Sequence, residues 1–318
     1  VLRSLLRPLA ALTLALALPA AASAETVKIS FQRSSTLLIT LKTSGALEKA
    51  LKPLGYEVSW HEMTAGVIPT MTSRAVDFHA DVADAVPVFT QAAGAPLTYF
   101  AKESASPKAQ AIIVPKDSPI RTVAELKGRR VGVQRGSGSH YLLVANLARA
   151  GLTISDVEVA YLQPQDARPA FDRGALDAWV VWDPFLAQTE VDVGARVLAD
   201  GSNGTSTYNR YYLVDRDYAA KHPDVVKAVY EALKEAGRWV KANKAESASL
   251  LSPLWGGIKT STIERITDRR SYDVQPIQTE DFASQQKIAD AFAEQKLIPK
   301  TIDLKAADVI DPTAAATR

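Results

Sequence analysis

The chain has no cysteine among its 318 residues. That absence excludes disulfides, thiolate metal sites, a cysteine nucleophile and attachment to a membrane through an acylated cysteine. Histidine is nearly as scarce. His61, His79, His140 and His222 lie far apart, with no H-x-x-x-H pair to hold a metal. Asp77, Asp81 and Asp84 are close together, but no calcium-loop pattern surrounds them. Neither a metal nor another cofactor is expected. An excess of charge of one sign is missing too. Lys and Arg number 37 and Asp and Glu 35; residues 1–24 hold Arg3, Arg7 and no acid, so the remainder balances at 35 of each. Such a chain has no overall attraction to nucleic acid or to an anionic membrane. No apolar run approaches the roughly 20 residues of a spanning helix.

What remains is ordinary globular material, 47% apolar and 23% charged, long enough for two domains. Residues 1–24 read as an address. Arg3 and Arg7 form a basic start, Leu9 to Leu18 an apolar core broken only by Thr13, and Ala22-Ser23-Ala24 an A-x-A site before Glu25. Cleavage after Ala24 and export to a Gram-negative periplasm, without lipidation, are the expectation.

From Glu25 onward strands and helices alternate. Val27 to Gln32 has period two and runs into Ser34-Ser35-Thr36, residues that cap helices. Leu37, Leu38, Leu41, Leu47, Ala50 and Leu51 predict the helix that follows, with Gly45 its weak point. Tyr56 to Met63 predicts a strand and Gly66 to Arg74 a helix; Leu97 to Lys102 and Gln110 to Val114 read as strands closing a first unit. Pro115-Lys116-Asp117-Ser118-Pro119 is turn chemistry suited to a crossing. A second unit repeats the rhythm, with strands at Arg130 to Gln134, Val157 to Leu162, Asp177 to Trp182 and Ala195 to Leu198. Helices are expected at Thr122 to Lys127, His140 to Ala150 and Asp166 to Asp172. Asn209 to Val214 is a further strand, and Pro223 to Lys244 carries apolar residues at spacings of three and four, the mark of an amphipathic helix. Ala245 to Leu254, Ser261 to Asp268 and Thr279 to Gln295 are also read as helical, and residues 299–318 as a loose tail. The fold class is therefore α/β: two α/β units with a helical C-terminal wrap. A ligand cleft between the carboxyl ends of their strands follows, with hinged closure.

Three junctions attract attention. Gly136-Ser137-Gly138-Ser139-His140, between a strand and a helix, offers tight turns, serine caps and free backbone N–H groups, which together make an anion cradle. A plain capped turn would read the same. It is neither a phosphate loop nor a nucleophile elbow, and a base next to its serine in sequence seldom adopts triad geometry. Gln32-Arg33-Ser34-Ser35 is a second junction of this kind, in the other unit. Trp179-Val180-Val181-Trp182-Asp183-Pro184 is the third, where Trp182 can cover an apolar tail and Asp183 can orient donors. Asp84, before a predicted helix, serves as a cap or faces a ligand.

The chain resembles the periplasmic binding proteins of ABC importers for organosulfur anions, most closely the aliphatic sulfonate-binding proteins. Ala111-Ile112-Ile113-Val114-Pro115-Lys116-Asp117-Ser118-Pro119-Ile120-Arg121 is similar to the family's stretch into its second lobe. Val123 to Gly128, Gly136-Ser137 with His140-Tyr141-Leu142-Leu143, Asp177 to Ala187 and Arg196 to Gly201 continue the likeness over essentially the whole chain after residue 24. One stretch departs: Val82-Ala83-Asp84-Ala85-Val86-Pro87 stands where the family often has Thr-Gly followed by an acid and a Pro-Pro pair.

The resemblance implies a type II, two-lobed receptor without catalysis, monomeric, that hands a small organosulfonate to a membrane permease and its cytoplasmic ATPase. Lobe 1 is expected at residues 25–114 and 208–318 and lobe 2 at 115–207. A sulfonate offers three acceptor oxygens and no proton, so backbone N–H groups and hydroxyls from both lobes suit it. The expected ligand-binding residues are Gln32, Ser34, Ser35, Asp84, Gln110, Ser137, Gly138, Ser139, His140, Trp182 and Asp183. Taurine, a sulfate ester, nitrate or a thiamine precursor are the alternatives within this class, taurine calling for Asp84 or Asp183 against its ammonium. An enzyme on the same fold and a chemotaxis receptor are the alternatives outside it.

Overall fold

The computed structural model describes residues 24–63, 67–79 and 81–314; the leader read at residues 1–24 lies outside them but for Ala24. Eleven strands are present among the described residues: β1 (Glu25–Phe31), β2 (Tyr56–Glu62), β3 (Val82–Ala83), β4 (Leu97–Glu103), β5 (Gln110–Val114), β6 (Arg130–Val133), β7 (Glu158–Tyr161), β8 (Ala178–Trp182), β9 (Arg196–Asp200), β10 (Arg210–Asp215) and β11 (Val274–Gln275). The helices are α1 (Thr36–Ser44), α2 (Ala46–Leu51), α3 (Val67–Thr72), α4 (Ala85–Ala92), α5 (Gly138–Arg149), α6 (Pro164–Asp172), α7 (Phe185–Val193), α8 (Arg216–Lys221), α9 (Pro223–Ala242), α10 (Lys244–Leu254), α11 (Thr260–Arg269) and α12 (Asp281–Glu294).

They form two lobes, each with its own sheet. In lobe 1, β1 and β2 pair in parallel, β11, β4, β10 and β3 pair antiparallel, and single bridges through Phe78 join β1 to β10. In lobe 2 the order is β7-β6-β8-β5-β9, with β6 parallel to β7 and β8, and β5 antiparallel to β8 and β9. Strand β8 was expected in a parallel sheet; it is buried on both faces, but one neighbour runs each way.

The break at Gly45 is real. Its φ of 65° ends α1 and starts α2, a left-handed turn that glycine adopts without steric cost. The apolar stripe of α9 (Val225, Val226, Val229, Leu233, Ala236, Val240) is wholly buried against one face of the lobe 1 sheet. Each such valine or leucine contributes about 1.5–3 kcal/mol of gross burial. Helices α4 and α12 cover the opposite face.

Two expectations are corrected. Strand β5, read as closing the first unit, hydrogen-bonds between β8 and β9, so the chain crosses between Glu103 and Gln110, ahead of the proline turn, and returns between Asp200 and Arg210. The tail is not loose up to residue 310. Leu304 is buried, and Tyr99 N–H donates to Asp308 O while Ile310 N–H donates to Tyr99 O, adding a short edge to β4.

Candidate ligand cavity between the lobes

A cavity of about 270 Å³ opens between the two sheets. Lobe 1 supplies Gln32, just past β1, Pro69 of α3, Val82 and Ala83 of β3, Val86 of α4, and Tyr208 and Arg210 where the chain re-enters β10. Lobe 2 supplies Gln134 to Gly138 after β6, Gln163 after β7, and Trp182 at the end of β8. All of the lobe 2 contacts lie at the carboxyl ends of strands, where open α/β sheets place ligands.

The floor is built around Arg210, which is only 3% exposed. Its Nε pairs with Asp81 Oδ2, its Nη2 donates to Asp81 O at 2.8 Å, and its Nη1 donates to Tyr208 Oη at 3.1 Å. Gln32 Nε2 donates to the same Asp81 carbonyl at 2.9 Å. Behind this layer Arg270 donates to Asp81 Oδ2 at 3.1 Å, Glu103 Oε1 at 2.6 Å and Ser34 O at 3.0 Å, and Tyr212 Oη donates to Glu103 Oε1 at 2.8 Å. Two guanidinium groups therefore face two carboxylates, which makes burying all four tolerable. Tyr208 has a φ of 50°, a left-handed backbone held at the cavity wall. Burial pushes its hydroxyl pKa up to about 12, so the proton stays on and is available to an acceptor.

At the glycine-serine junction the lobes approach closely. Ser137 caps α5, accepting from His140 N–H at 3.1 Å, while its own hydroxyl donates to Gln134 O at 2.7 Å. The N–H groups of Gly138 and Ser139 fall in the first turn, where a helix offers them no partner. A Cβ on Gly138 would sit 2.8 Å from Ala83 Cβ and 2.9 Å from Tyr208 Cε2, so only glycine admits this contact between lobes.

Of the eleven expected residues, Gln32, Ser137, Gly138 and Trp182 line the cavity. The other seven are not among its lining residues. Ser34 offers its carbonyl to Arg270, and Ser35 Oγ turns back to accept from Gln32 N–H at 3.2 Å instead of capping α1. Gln110 bridges Ser206 and Ser139 inside the protein. His140 Nδ1 accepts from Gly136 N–H at 3.3 Å, which puts the ring proton on Nε2, facing Tyr161 Oη at 3.4 Å. Burial, helped by Arg135, pushes its pKa down to about 4. Asp84 caps α4 through Ala85 N–H at 3.0 Å, and burial pushes its carboxyl up to about 7 against hydrogen bonds from Ala85, Thr207, Asn209 and Tyr208. Asp183 accepts from Ala187 N–H at 2.9 Å and pairs with Arg269 at 3.3 Å; burial pushes it up to about 6.

Arg210 and Tyr208 were not expected. Their signal was one arginine opening the otherwise apolar run Arg210-Tyr211-Tyr212-Leu213-Val214, a charge that a buried strand must place against a partner.

Fold and site together define a two-lobed solute receptor of the type II periplasmic-binding class. A family model described as NMT1/THI5 like matches residues 58–247, and the chain belongs to that family. The alkanesulfonate-binding protein SsuA from Xanthomonas axonopodis pv. citri, bound to MOPS, superposes with a TM-score of 0.84 at 34% identity, over 92% of this chain and 100% of that one. For the periplasmic aliphatic sulphonate binding protein SsuA from Escherichia coli the TM-score is 0.80 at 36% identity, over 88% and 96%. The taurine-binding periplasmic protein of Escherichia coli (strain K12) is 30% identical over 227 residues, 70% of this chain and 68% of that protein.

Proposed function

We propose that the chain is an exported receptor that captures alkanesulfonates between its lobes and delivers them, unchanged, to the permease and ATPase of an ABC importer. The observation that carries this reading is the floor. Arg210, the Tyr208 hydroxyl and the first-turn N–H groups of α5 come from both lobes to one buried place, and all of them donate. A sulfonate fits such a place because it stays ionised and accepts on three oxygens. Each hydrogen bond to a charged group nets about 1.5–3 kcal/mol. Micromolar affinity needs about 8 kcal/mol, so several donors and burial of the tail against Val82, Val86 and Trp182 are required together. A ligand touching both lobes favours the closed arrangement over the open one.

Cleavage after Ala24 and action in the periplasm as a monomer are part of the proposal, supported by the leader-like residues 1–24 and by the periplasmic relatives. The taurine alternative requires a carboxylate facing an ammonium. Asp84 and Asp183 are both outside the cavity lining, and Asp183 already neutralises Arg269.

The test is calorimetric titration of ligand-stripped protein, residues 25–318, in Tris, because common buffers such as MOPS are themselves sulfonates. Ethanesulfonate and hexanesulfonate are expected to bind with micromolar or tighter affinity while sulfate and nitrate stay silent. Binding of nitrate or taurine with silence from both alkanesulfonates would reassign the ligand.

A further inference from the structure

The residues lining the cavity range from buried to exposed. Arg210, Tyr208 and Gly138 are buried, Gln134 is half-buried, and Arg135 and Gln163 are exposed at the rim. The rim also holds the exposed ring of Pro69, and the buried Val82, Ala83 and Val86 make an apolar wall between it and the polar floor. Arg135 makes no ion pair among the described residues, and no carboxylate side chain belongs to the cavity lining. Its guanidinium is nevertheless held in place, lying 5.5 Å from the centre of the Tyr161 ring, and Tyr161 in turn reaches His140. An anion that enters head first therefore leaves its far end beside an unpaired guanidinium and two glutamine side chains.

Building on the sulfonate reading, we propose that Arg135 is a specificity residue and that the preferred ligands are short organosulfonates whose distal end carries a carboxylate or another hydrogen-bond acceptor. The sulfonate occupies the floor, a short carbon link lies along the wall, and the distal acceptor meets Arg135. Tyr161 acts as a positioning residue, since it touches Arg135 and not the cavity. The volume of about 270 Å³ suits a link of a few carbons, and an ammonium end would meet Arg135 with like charge.

Sulfoacetate and ethanesulfonate differ at the distal end and share the head, so the ratio of their dissociation constants isolates the rim. Calorimetry on residues 25–318 in Tris should show sulfoacetate binding about tenfold tighter, the value expected for one charge-assisted contact partly screened by solvent. Arg135→Gln should bring the ratio close to one, and Arg135→Lys should retain part of it. Tyr161→Leu should lower the ratio while Tyr161→Phe, which keeps the ring, preserves it; a purely structural role for Tyr161 would move both ligands together. Equal affinity of the two ligands in the wild type, or a ratio untouched by Arg135→Gln, would overturn the assignment of Arg135 and leave the sulfonate receptor standing. Silence from both ligands would overturn this inference and the sulfonate reading with it.

Discussion

Arg210 joins the buried ion network to the ligand cavity, and its replacement acts on both. Arg210→Gln leaves Asp81 short of one of its two cationic partners in a dry place, a loss of about 3 kcal/mol or more of stability. Sulfonate affinity should fall at least a hundredfold, read by titration alongside urea unfolding. Arg210→Lys keeps the charge but not the fork that serves Asp81 and Tyr208 at once, and should recover only part of the loss. A second prediction concerns pH. The Asp84 carboxyl is pushed up from its ordinary 3.8 to about 7. Between those values the folded state keeps a proton that the unfolded state has released, so this group lowers stability as pH rises from about 4 to about 7. Relative to wild type, Asp84→Asn should gain stability across that window, on the order of 4 kcal/mol above pH 7. His140 works in the opposite sense. Held near 4 against an ordinary 6.5, it is neutral when folded and lowers stability as pH falls through that interval. Unfolding curves of Asp84→Asn and wild type that stay parallel from pH 4 to 8 would contradict the assignment.

At the scale of elements, the N-terminus of α5 shows both how far residues in sequence can be read and where the reading fails. The run Gly136-Ser137-Gly138 was recognisable because glycines and a capping serine between strand and helix leave few other conformations. Ser139 and His140 belonged to the same motif, but each step along a helix rotates the side chain by about 100°, and that carries them away from the cavity. The same failure separates Trp182 from Asp183. Neighbours at a strand end point to opposite sides, and Asp183 turns to Ala187 N–H and to Arg269, the second of them far away in sequence. Partners remote in sequence also hid Arg210 and moved β5 into the second sheet. Gly138→Ala is the prediction at this scale. A Cβ there would press on Ala83 and Tyr208, so the lobes would close less fully and sulfonate affinity should drop about tenfold or more. Ala83→Gly in the same chain should restore part of it, measured by titration. Ser137→Ala should cost about 1 kcal/mol of stability through the lost cap.

Across the whole molecule, the two-lobed plan was the most legible feature because alternation of strand and helix recurs on either side of the turn at Pro115–Pro119. The contacts that hold the lobes together were not, since each joins residues distant in sequence. On one side of the cavity Glu190 of α7 pairs with Arg265 at 3.0 Å and with Arg269 at 2.6 Å, both from α11. On the other, Phe292 of α12 packs against His140 and Tyr141 of α5 with ring centres 5.4 and 6.0 Å apart. These contacts favour closure even before a ligand adds its own. Glu190→Gln should loosen the ligand-free protein, seen as a larger radius of gyration in small-angle scattering, and saturating alkanesulfonate should return it to the wild-type value. In the proposed binding mode the sulfonate lies inward and the tail outward. A crystal structure of residues 25–318 with 2-bromoethanesulfonate tests it most directly, because anomalous scattering marks the bromine. The sulfonate is expected beside Arg210, Tyr208 and Gly138, with the bromine toward Arg135 and Gln163. Bromine on the floor with sulfonate at the rim, or both atoms outside this cavity, would contradict it.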